Sequence, residues 1–252
     1  MLDVTSFGGI TTLRLDHGKV HALDLELLRA LDDGLRAFEQ DAEARAAILT
    51  GTGTVFSAGV DLYRLLDGGP EYAREYVPVL SDTLRHLFAA SKPVVAAING
   101  HAIAGGCVLA EACDYRLMAD GDGTIGVPEL RVGIPFPLVA IEILRFATST
   151  AHLQELVYRG TTYLSTQARD RGLVDEVVPA GKLMVRAVAV AERLASEPTG
   201  RFRVTKRQLR APVLASIAAH DHETMTDVVS EWERPESLAA IRAYLAARRS
   251  GG

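Results

Sequence analysis

Two segments of this chain repeat one arrangement, a short apolar run followed by a turn marked with glycine, about 45 residues apart. In the first, the run at residues 46–49 precedes the loop 56–62 (FSAGVDL). In the second, the run at 93–98 (PVVAAI) precedes residues 99–107 (NGHAIAGGC). A short continuous apolar run is typical of a strand buried on both faces. The chain is therefore predicted to build a core from strands too short to stand alone.

Helical and strand patterns alternate along the first two-thirds of the chain. Asp24 is predicted to cap an amphipathic helix, whose apolar face carries Leu27, Leu28, Leu31, Leu35 and Phe38. Further helices are predicted at residues 70–90, 105–112, 137–147 and 151–159, with a short one capped by Ser165. Strands are predicted at residues 10–15, 46–49, 93–98, 115–118 and 174–178. This alternation predicts an α/β core of stacked repeats.

From residue 182 onward the pattern is almost entirely helical. We therefore predict an α/β core over residues 1–197 and a helical region over residues 198–252. Several apolar residues of the helical region look exposed, namely Val213, Leu214, Ile217, Met225, Val228 and Trp232. A helical lobe with such residues more often packs on a neighbouring subunit than stands in solvent, so we expect an oligomer.

Charge and cysteine content exclude several classes of function. The net charge is −5 and no long basic run occurs, which argues against nucleic-acid binding. Cys107 and Cys113 have no metal-ligand spacing, so no metal site is expected. No apolar run approaches the roughly 20 residues that cross a bilayer, and no signal-peptide pattern opens the chain. We expect a cytoplasmic protein that does not bind membranes.

One basic cluster stands out against this acidic background. It consists of Arg201, Arg203, Lys206, Arg207 and Arg210. These side chains face either an anionic ligand, such as a phosphate, or solvent along one side of a helix. The sequence does not separate the two interpretations.

The two glycine turns predict a site for an oxyanion. Gly59 allows a sharp turn that points the Val60 N–H group outward, and Gly105 opens a helix whose first N–H groups lack intrahelical partners. Two such donors could hold a carbonyl oxygen that becomes negatively charged, each contributing roughly 3 kcal/mol in the transition state. The alternative is that the glycines only permit close packing. The GxSxG, P-loop and GxGxxG motifs are absent, which argues against serine hydrolases, P-loop enzymes and nicotinamide enzymes.

A lone carboxyl group follows in an apolar segment at residues 126–135 (GVPELRVGIP). Pro128 restricts the backbone just before Glu129. Apolar surroundings disfavour the charged carboxylate and raise its pKa towards the range useful for moving protons. The alternative is an ion pair between Glu129 and Arg131 or another arginine.

Taken together and in order, these motifs resemble the crotonase superfamily, the enoyl-CoA hydratase/isomerase family. The resemblance rests on residues 56–62, 92–107, 113–116, 128–135 and 168–179, and it runs from about residue 10 to 180. It implies a crotonase-like (ClpP/crotonase) spiral of ββα repeats with a helical C-terminal trimerisation region. It also implies a homotrimer or a dimer of trimers. An acyl-CoA thioester is then the substrate, and no separate cofactor is needed.

The resemblance also implies roles for individual residues. Val60 and Gly105 would donate their N–H groups to the thioester oxygen, and Glu129 would be the acid/base. Val20 and Ala22 would contact CoA through their backbone, although His21 stands where the family usually has Asn. The remaining residues expected to bind substrate are Ala58, Gly59, Asp61, Leu62, Tyr63, His101, Gly106, Val108 and Phe136. Leu66 and Leu138 are expected as further walls of the acyl site.

One departure from the family pattern bears on the reaction. Hydratases of this family use two glutamates, and the first of these positions is Val108 here. A single base suffices to shift a double bond, so the pattern resembles the Δ3-Δ2-enoyl-CoA isomerases. An enoyl-CoA hydratase, in which Glu111 compensates for the missing glutamate, stays open, although Glu111 is expected to pair with Arg116. A non-catalytic acyl-CoA-binding protein and other CoA-enolate reactions also stay open.

The C-terminal end carries a further candidate contact. Arg248 and Arg249 could reach the CoA phosphates of a neighbouring subunit, or they could be solvated. Tails that end in Gly-Gly are usually solvated, which favours the second interpretation.

Overall fold

The computed structural model describes residues 1–250 of the 252-residue chain. Its strands are β1 (Leu2–Phe7), β2 (Ile10–Leu15), β3 (Ala46–Gly51), β4 (Val55–Ser57), β5 (Val94–Ile98), β6 (His101–Ile103), β7 (Tyr115–Asp120), β8 (Thr124–Gly126), β9 (Thr162–Leu164) and β10 (Glu176–Pro179). Its α-helices are α1 (Leu25–Gln40), α2 (Leu62–Ala89), α3 (Gly105–Ala112), α4 (Glu129–Val132), α5 (Leu138–Ala147), α6 (Thr150–Arg159), α7 (Ser165–Asp170), α8 (Leu183–Ala195), α9 (Thr199–Glu233) and α10 (Pro235–Ser250). Residues 251–252 of the predicted helical region, and the side chain of Arg249, lie outside the described part.

The strands form two sheets, and each repeat contributes one strand to each sheet. Within residues 1–250, a six-stranded sheet has the order β1-β2-β3-β5-β7-β10, and a four-stranded sheet has the order β4-β6-β8-β9. The units β3-β4-α2, β5-β6-α3 and β7-β8-α4 each place their first strand in the large sheet and their second in the small one. From β2 to β10 the large sheet is parallel, whereas β1 is an antiparallel edge strand. The predicted α/β class with stacked ββα repeats is confirmed.

The continuous apolar runs reflect a sheet that is covered on both faces. Successive side chains of a strand point to opposite faces. Leu49 therefore joins the main core with α1, α2, α3 and α5, whereas Ile48 joins a second cluster beneath α8. Both side chains are fully buried. This two-sided burial explains why the run at residues 46–49 contains no polar residue.

Several predicted elements are confirmed with their bounds. Strand β2 and helix α3 coincide with the predictions. Asp24 caps α1, because its Oδ1 accepts a hydrogen bond from the Leu27 N–H at 2.8 Å. The predicted apolar face of α1 is buried.

Other predicted boundaries were wrong, for local reasons. Helix α2 begins at Leu62 rather than at residue 70, because the Asp61 carboxylate accepts hydrogen bonds from the first turn and the helix kinks at Gly69 (φ 59°, ψ −148°). Ser165 does not cap α7 but is its first residue, and its hydroxyl donates to Asp120 at 2.9 Å. The short strands β4, β6, β8 and β9 were missed, because three residues carry almost no periodic signal.

The C-terminal helices pack against the rest of the same chain. Helix α9 contacts α2 and α5, and α10 contacts α2 and α4. Ile217, Val228 and Trp232, which looked exposed in the sequence, are buried in the main core. These apolar residues therefore no longer support the expected oligomer, which stays a prediction, as does the boundary at residue 198. No helix among residues 1–250 is both long and apolar enough to span a membrane.

Two members of the basic cluster point into the protein. Lys206 and Arg210 are buried, and both pair with Asp114, at 2.7 and 2.9 Å. Arg210 also donates to the carbonyl groups of Phe88, Ala112 and Cys113, near the C-terminal ends of α2 and α3. The negative ends of the two helix dipoles therefore add to the charge of Asp114. Neither interpretation of the cluster, an anionic ligand or a solvated helix face, holds for Lys206 and Arg210, since both are buried against Asp114.

Candidate active site

The Val60 N–H group is left unpaired by the way its loop joins the neighbouring segment. Leu23 donates to the Gly59 carbonyl at 2.7 Å, and Asp61 donates to the Leu23 carbonyl at 3.1 Å. Val60 lies between Gly59 and Asp61 in this parallel β-bridge. Its own N–H group therefore points away from Leu23. Within residues 1–250, the Val60 N–H has no protein acceptor. Gly59 makes the turn possible with φ at 77°.

The Gly105 N–H group is unpaired because it opens helix α3. The preceding residue, Ala104, has φ at 55° and donates its own N–H to the Gly126 carbonyl at 2.8 Å. Gly105 itself has no acceptor among the described residues. The amide therefore points away from the sheet, at the positive end of the helix dipole.

The two glycine turns lie in direct contact. A Cβ atom on Gly59 would lie 2.8 Å from the Gly105 nitrogen, and one on Gly105 would lie 4.0 Å from the Val60 nitrogen. Gly106 is packed equally closely, since a Cβ there would lie 2.3 Å from the Ser57 carbonyl oxygen. The packing and oxyanion interpretations are thus compatible, because the close packing brings the two free amides together.

Glu129 is the first residue of α4, which follows Pro128. Its side chain is only 6% exposed, and burial raises its pKa to about 8. Oε2 is buried without a hydrogen-bond partner, and no basic side chain within residues 1–250 pairs with Glu129. The alternative of an ion pair with Arg131 was wrong. A buried carboxyl without a counter-charge favours its neutral form near neutral pH.

Val60 and Glu129 line one cavity of about 320 Å³, which we call the catalytic cavity. It is lined by Val20, Ala22, Ala58, Val60, Asp61, Leu62, Tyr63, Ile103, Ala104, Pro128, Glu129, Val132, Ile134, Tyr244, Leu245 and Arg248. Of its two carboxyl groups, that of Asp61 already accepts hydrogen bonds from the N–H groups of Tyr63 and Arg64, both at 3.0 Å. Glu129 is therefore the carboxyl group of the cavity that is free to exchange a proton.

Several predicted site residues lie behind the cavity wall or outside it. Gly59, Gly105 and Gly106 form the backbone frame rather than the lining. Val108 and Phe136 are buried but do not line the catalytic cavity, and neither does Leu138. Their predicted direct contacts with substrate are therefore not supported by the shape of the cavity.

An open cleft of about 510 Å³, which we call the outer cleft, adjoins the catalytic cavity. The two spaces share Val20, Ala58, Ile103, Pro128, Tyr244 and Arg248. His101, a predicted site residue, lines this cleft, where its Nδ1 lies 3.1 Å from the Thr124 hydroxyl. Arg131 and Arg248 give the cleft positive charge, and no acidic residue lines it in the described part of the chain.

The loop before α1 places Val20 and Ala22 in the wall and turns His21 away. His21 is buried at φ 48°, and its Nε2 lies 3.1 Å from the Thr52 carbonyl oxygen. The Ser57 hydroxyl donates to the His21 carbonyl at 2.8 Å. His21, which replaces the usual Asn, therefore bonds within the loop and its neighbours and does not line the cavity.

Glu111 is held away from the catalytic cavity. It is fully buried one turn after Val108, and its Oε2 lies 3.7 Å from Arg116 Nε. Burial raises its pKa to about 8, although Arg116 opposes the shift. Glu111 thus lies within ion-pair distance of Arg116, as expected, but neither of its carboxyl oxygens accepts a hydrogen bond, because Arg116 donates to Asp175 instead. Glu111 is absent from the lining of the catalytic cavity.

Sequence reasoning missed the contribution of α10 to the site. Tyr244, Leu245 and Arg248 line the cavity of their own chain, whereas the sequence had left Arg248 either solvated or in contact with a neighbouring subunit. Helix α10 rests on α4 through Ala240, which packs against Gly133. The end of α9 that leads into it is held by Trp232, whose Nε1 donates to the Pro135 carbonyl at 3.0 Å. The sequence of α10 does not indicate that the helix packs over the cavity, because Tyr244, Leu245 and Arg248 are also compatible with an exposed helix face.

Comparison with known proteins agrees with this geometry. The family model for enoyl-CoA hydratase/isomerase matches residues 6–245. The chain belongs to this family. A putative enoyl-CoA hydratase of Thermus thermophilus is 34% identical over 229 residues, covering 89% of this chain and 87% of the relative. The mitochondrial enoyl-CoA delta isomerase 1 of Mus musculus is 32% identical over 239 residues, covering 94% and 83%.

Solved structures of the family share the fold closely. Human mitochondrial delta3-delta2-enoyl-CoA isomerase superposes with a TM-score of 0.94 at 27% identity, covering 100% of this chain and 99% of its own. A probable enoyl-CoA hydratase of Mycobacterium tuberculosis superposes with a TM-score of 0.84 at 28% identity, covering 90% and 95%. The chain is thus an enzyme of the enoyl-CoA hydratase/isomerase family with the crotonase fold. Its relatives carry the names of both reactions.

Proposed function

We propose that this enzyme shifts the double bond of a 3-enoyl-CoA thioester to position 2. The observation that carries the proposal is the buried Glu129 carboxyl, whose Oε2 has no hydrogen-bond partner and which lines one cavity with the free Val60 amide. An isomerase needs one group that both accepts and returns a proton. Glu129 is suited to this role, because a general base works best with a pKa near the operating pH.

The two amides would stabilise the intermediate of this reaction. When Glu129 removes a proton from C2, negative charge moves to the thioester oxygen and forms a dienolate. The N–H groups of Val60 and Gly105 are preset to donate to that oxygen, and each donor of this kind contributes roughly 3–4 kcal/mol. Glu129 then returns the proton at C4, which leaves the double bond at position 2.

Hydration is less well supported by the same cavity. Adding water across a double bond needs a second acid/base group, which activates the water or protonates the substrate. The position that the family uses for this group is occupied by Val108 here. That side chain is apolar and 1% exposed. Glu111 does not line the catalytic cavity. The hydratase name of the Thermus thermophilus relative keeps hydration as the second candidate.

Coenzyme A would enter as part of the substrate and not as a bound cofactor. The positive outer cleft suits its phosphate groups, since arginine binds phosphate well. Backbone contacts from Val20 and Ala22 would guide the chain that joins the phosphates to the thioester. The homotrimer or dimer of trimers stays a prediction, which light scattering would test. The cytoplasmic location also stays a prediction, which cell fractionation would test.

A two-substrate assay tests the proposal. Purified enzyme is given a 3-enoyl-CoA and, separately, a 2-enoyl-CoA, and both isomerisation and hydration are followed. We expect isomerisation to dominate and Glu129→Gln to lower its kcat by about 10²- to 10⁴-fold, the usual contribution of a positioned acid/base. Hydration that survives Glu129→Gln would contradict the single-base mechanism. Binding of both thioesters without turnover would favour a non-catalytic protein.

A second variant tests the role of the missing glutamate. Val108→Glu restores a carboxyl group at the position where hydratases of the family carry one. We expect this variant to gain hydratase activity relative to the wild type. Val108→Gln is the matched control, because it has nearly the same volume but cannot act as an acid or base.

A further inference from the structure

A further cavity lies at the opposite ends of α2 and α3 from the catalytic cavity. We call it the basic pocket; it has a volume of about 180 Å³ and is lined by Phe88, Ala89, Ala90, Ser91, Arg203, Lys206, Arg207, Arg210 and Leu214. It shares no lining residue with the catalytic cavity or the outer cleft. Gly105 opens α3 beside the catalytic cavity, whereas Arg210 binds the carbonyl groups at the other end of that helix, about 11 Å away at 1.5 Å per residue.

One face of α9 supplies all the positive charge of the basic pocket. The cationic residues of its lining are Arg203, Lys206, Arg207 and Arg210. They stand at positions i, i+3, i+4 and i+7, so their side chains share one side of the helix. No acidic residue lines the basic pocket in the part of the chain that the structure describes.

The inner wall of the pocket holds more positive than negative charge. Lys206 and Arg210 are both more than nine-tenths buried, and they share the single carboxylate of Asp114. An ammonium group has three donors, and Lys206 uses two of them, on Asp114 and on the Lys92 carbonyl. Its third donor has no acceptor among residues 1–250. An anion in the pocket would therefore meet a fixed cation with a spare donor.

The outer wall consists of two exposed arginines, Arg203 and Arg207. Within the described chain, neither side chain has an ion-pair partner. The carboxylate of Glu39 is close to Ser91, but it accepts from the Ser91 N–H at 2.7 Å and lies 2.9 Å from Nε2 of His86, which balances its charge. Both guanidinium groups are therefore free to bind an oxyanion with two parallel hydrogen bonds each.

We propose that the basic pocket binds a phosphate group, either as free phosphate or as part of a small organic monoester. A phosphate group carries a charge of about −1.5 to −2 at pH 7, which matches the excess positive charge of the pocket better than a single carboxylate does. Arg203 and Arg207 hold its outer oxygens, and the spare donor of Lys206 faces its inner side. The site does not depend on the proposed double-bond shift, because it lies apart from the catalytic cavity.

Equilibrium binding of inorganic phosphate to the full-length enzyme tests this assignment. Phosphate is titrated into wild-type enzyme and into the double variant Arg203→Gln/Arg207→Gln by calorimetry, with the ionic strength kept constant by chloride. We expect the double variant to raise the Kd for phosphate about tenfold or more, the effect of losing charge-assisted hydrogen bonds. Urea denaturation gives a second readout. Phosphate at 100 times its Kd should multiply the folding equilibrium constant of the wild type about 100-fold.

Two controls separate the pocket from net charge and from the outer cleft. Arg201→Gln removes the same charge from α9, but Arg201 is exposed and does not line the basic pocket. Arg248→Gln removes a charge from the outer cleft. We expect both variants to keep the wild-type Kd for phosphate.

Three results would overturn the inference. These are a wild type that does not bind phosphate saturably, a Kd raised equally by Arg201→Gln, and a Kd raised by Arg248→Gln but not by the double variant. If the double variant does not fold, Arg203→Gln and Arg207→Gln are measured singly, and an unchanged Kd in both overturns the inference as well.

A second titration, with adenosine 5′-monophosphate, distinguishes the two sources of the phosphate group. A Kd below that of inorganic phosphate, and raised by the double variant, supports an organic monoester in contact with the apolar wall at Phe88 and Leu214. A Kd equal to or above that of inorganic phosphate supports free phosphate.

Discussion

Gly133 and Ala240 lie in such close contact that a Cβ atom on Gly133 would be 2.5 Å from the Cβ of Ala240. Gly133 ends α4, the short helix that carries Glu129, and it accepts φ at 100° there. Its N–H donates to the Glu129 carbonyl at 2.9 Å. Helix α10 thus rests directly on the turn that holds the proposed acid/base.

We expect Gly133→Ala to lower both stability and activity. The added methyl group must displace α10, and alanine is strained at this φ, so the free energy of unfolding should fall by about 1–3 kcal/mol. The kcat should fall by more than the loss of folded protein accounts for, because a shift of the turn at Gly133 also displaces Glu129. Chemical denaturation and kcat measure the two effects. Gly200→Ala is the control, because nothing lies within 4 Å of that position, and it should leave both quantities nearly unchanged.

The activity should rise with pH. Burial raises the pKa of Glu129 to about 8, and only the ionised carboxylate can remove the C2 proton. The kcat/KM for a 3-enoyl-CoA should therefore increase about tenfold per pH unit below that pKa and level off above it. A pH–rate profile of the free enzyme checks this. A kcat/KM that does not change between about pH 6 and pH 9 would contradict the role of Glu129 as the base.

Replacing Arg248 should weaken recognition of the phosphate groups. Arg248→Ala removes one positive charge from the outer cleft, so the KM for an acyl-CoA should rise by about 3- to 10-fold, in line with a partly exposed charged contact. The KM for an acyl thioester of N-acetylcysteamine, which lacks phosphates, should not change. Arg36→Ala is the paired control, since Arg36 is exposed on α1 and lines neither the catalytic cavity nor the outer cleft. Equal effects on both thioesters would contradict a role for Arg248 in phosphate binding.

Breaking the buried charge cluster should destabilise the attachment of α9. Asp114 accepts from Lys206 at 2.7 Å and from the Val94 N–H at 2.8 Å, and it pairs with Arg210. Asp114→Asn leaves two buried cations with one neutral partner, and such changes cost about 3–5 kcal/mol. Urea denaturation measures the loss.

The control for this prediction is a pair of opposite charge at the surface. Asp170→Asn removes the partner of Arg169, and both side chains are more than half exposed. Exposed pairs contribute only about 0–1 kcal/mol, so the stability should hardly change. A similar loss in both variants would mean that burial does not set the strength of the Asp114 cluster.

The local chemistry of the site could be predicted from the sequence. Gly59 and Gly105 indicated two free amides, and the lone Glu129 in an apolar segment indicated a raised pKa; the structure has both features. These predictions succeeded because a turn glycine, a helix N-terminus and an apolar neighbourhood are properties of a few consecutive residues. Val108 and Phe136, which were predicted to contact substrate, do not line the catalytic cavity, because burial alone does not say which side of a wall a residue occupies.

The sequence by itself determined the α/β repeats, since apolar runs of strand length must be covered on both faces wherever they lie. The tertiary structure alone decided that Glu129 has no ionic partner, that Lys206 and Arg210 turn inward to Asp114, and that α10 closes the cavity of its own chain. These three results depend on contacts between residues far apart in the chain. Local sequence patterns cannot predict such contacts, because the charges and the helical periodicity of a segment are the same whether its face is exposed to solvent or packed against another helix.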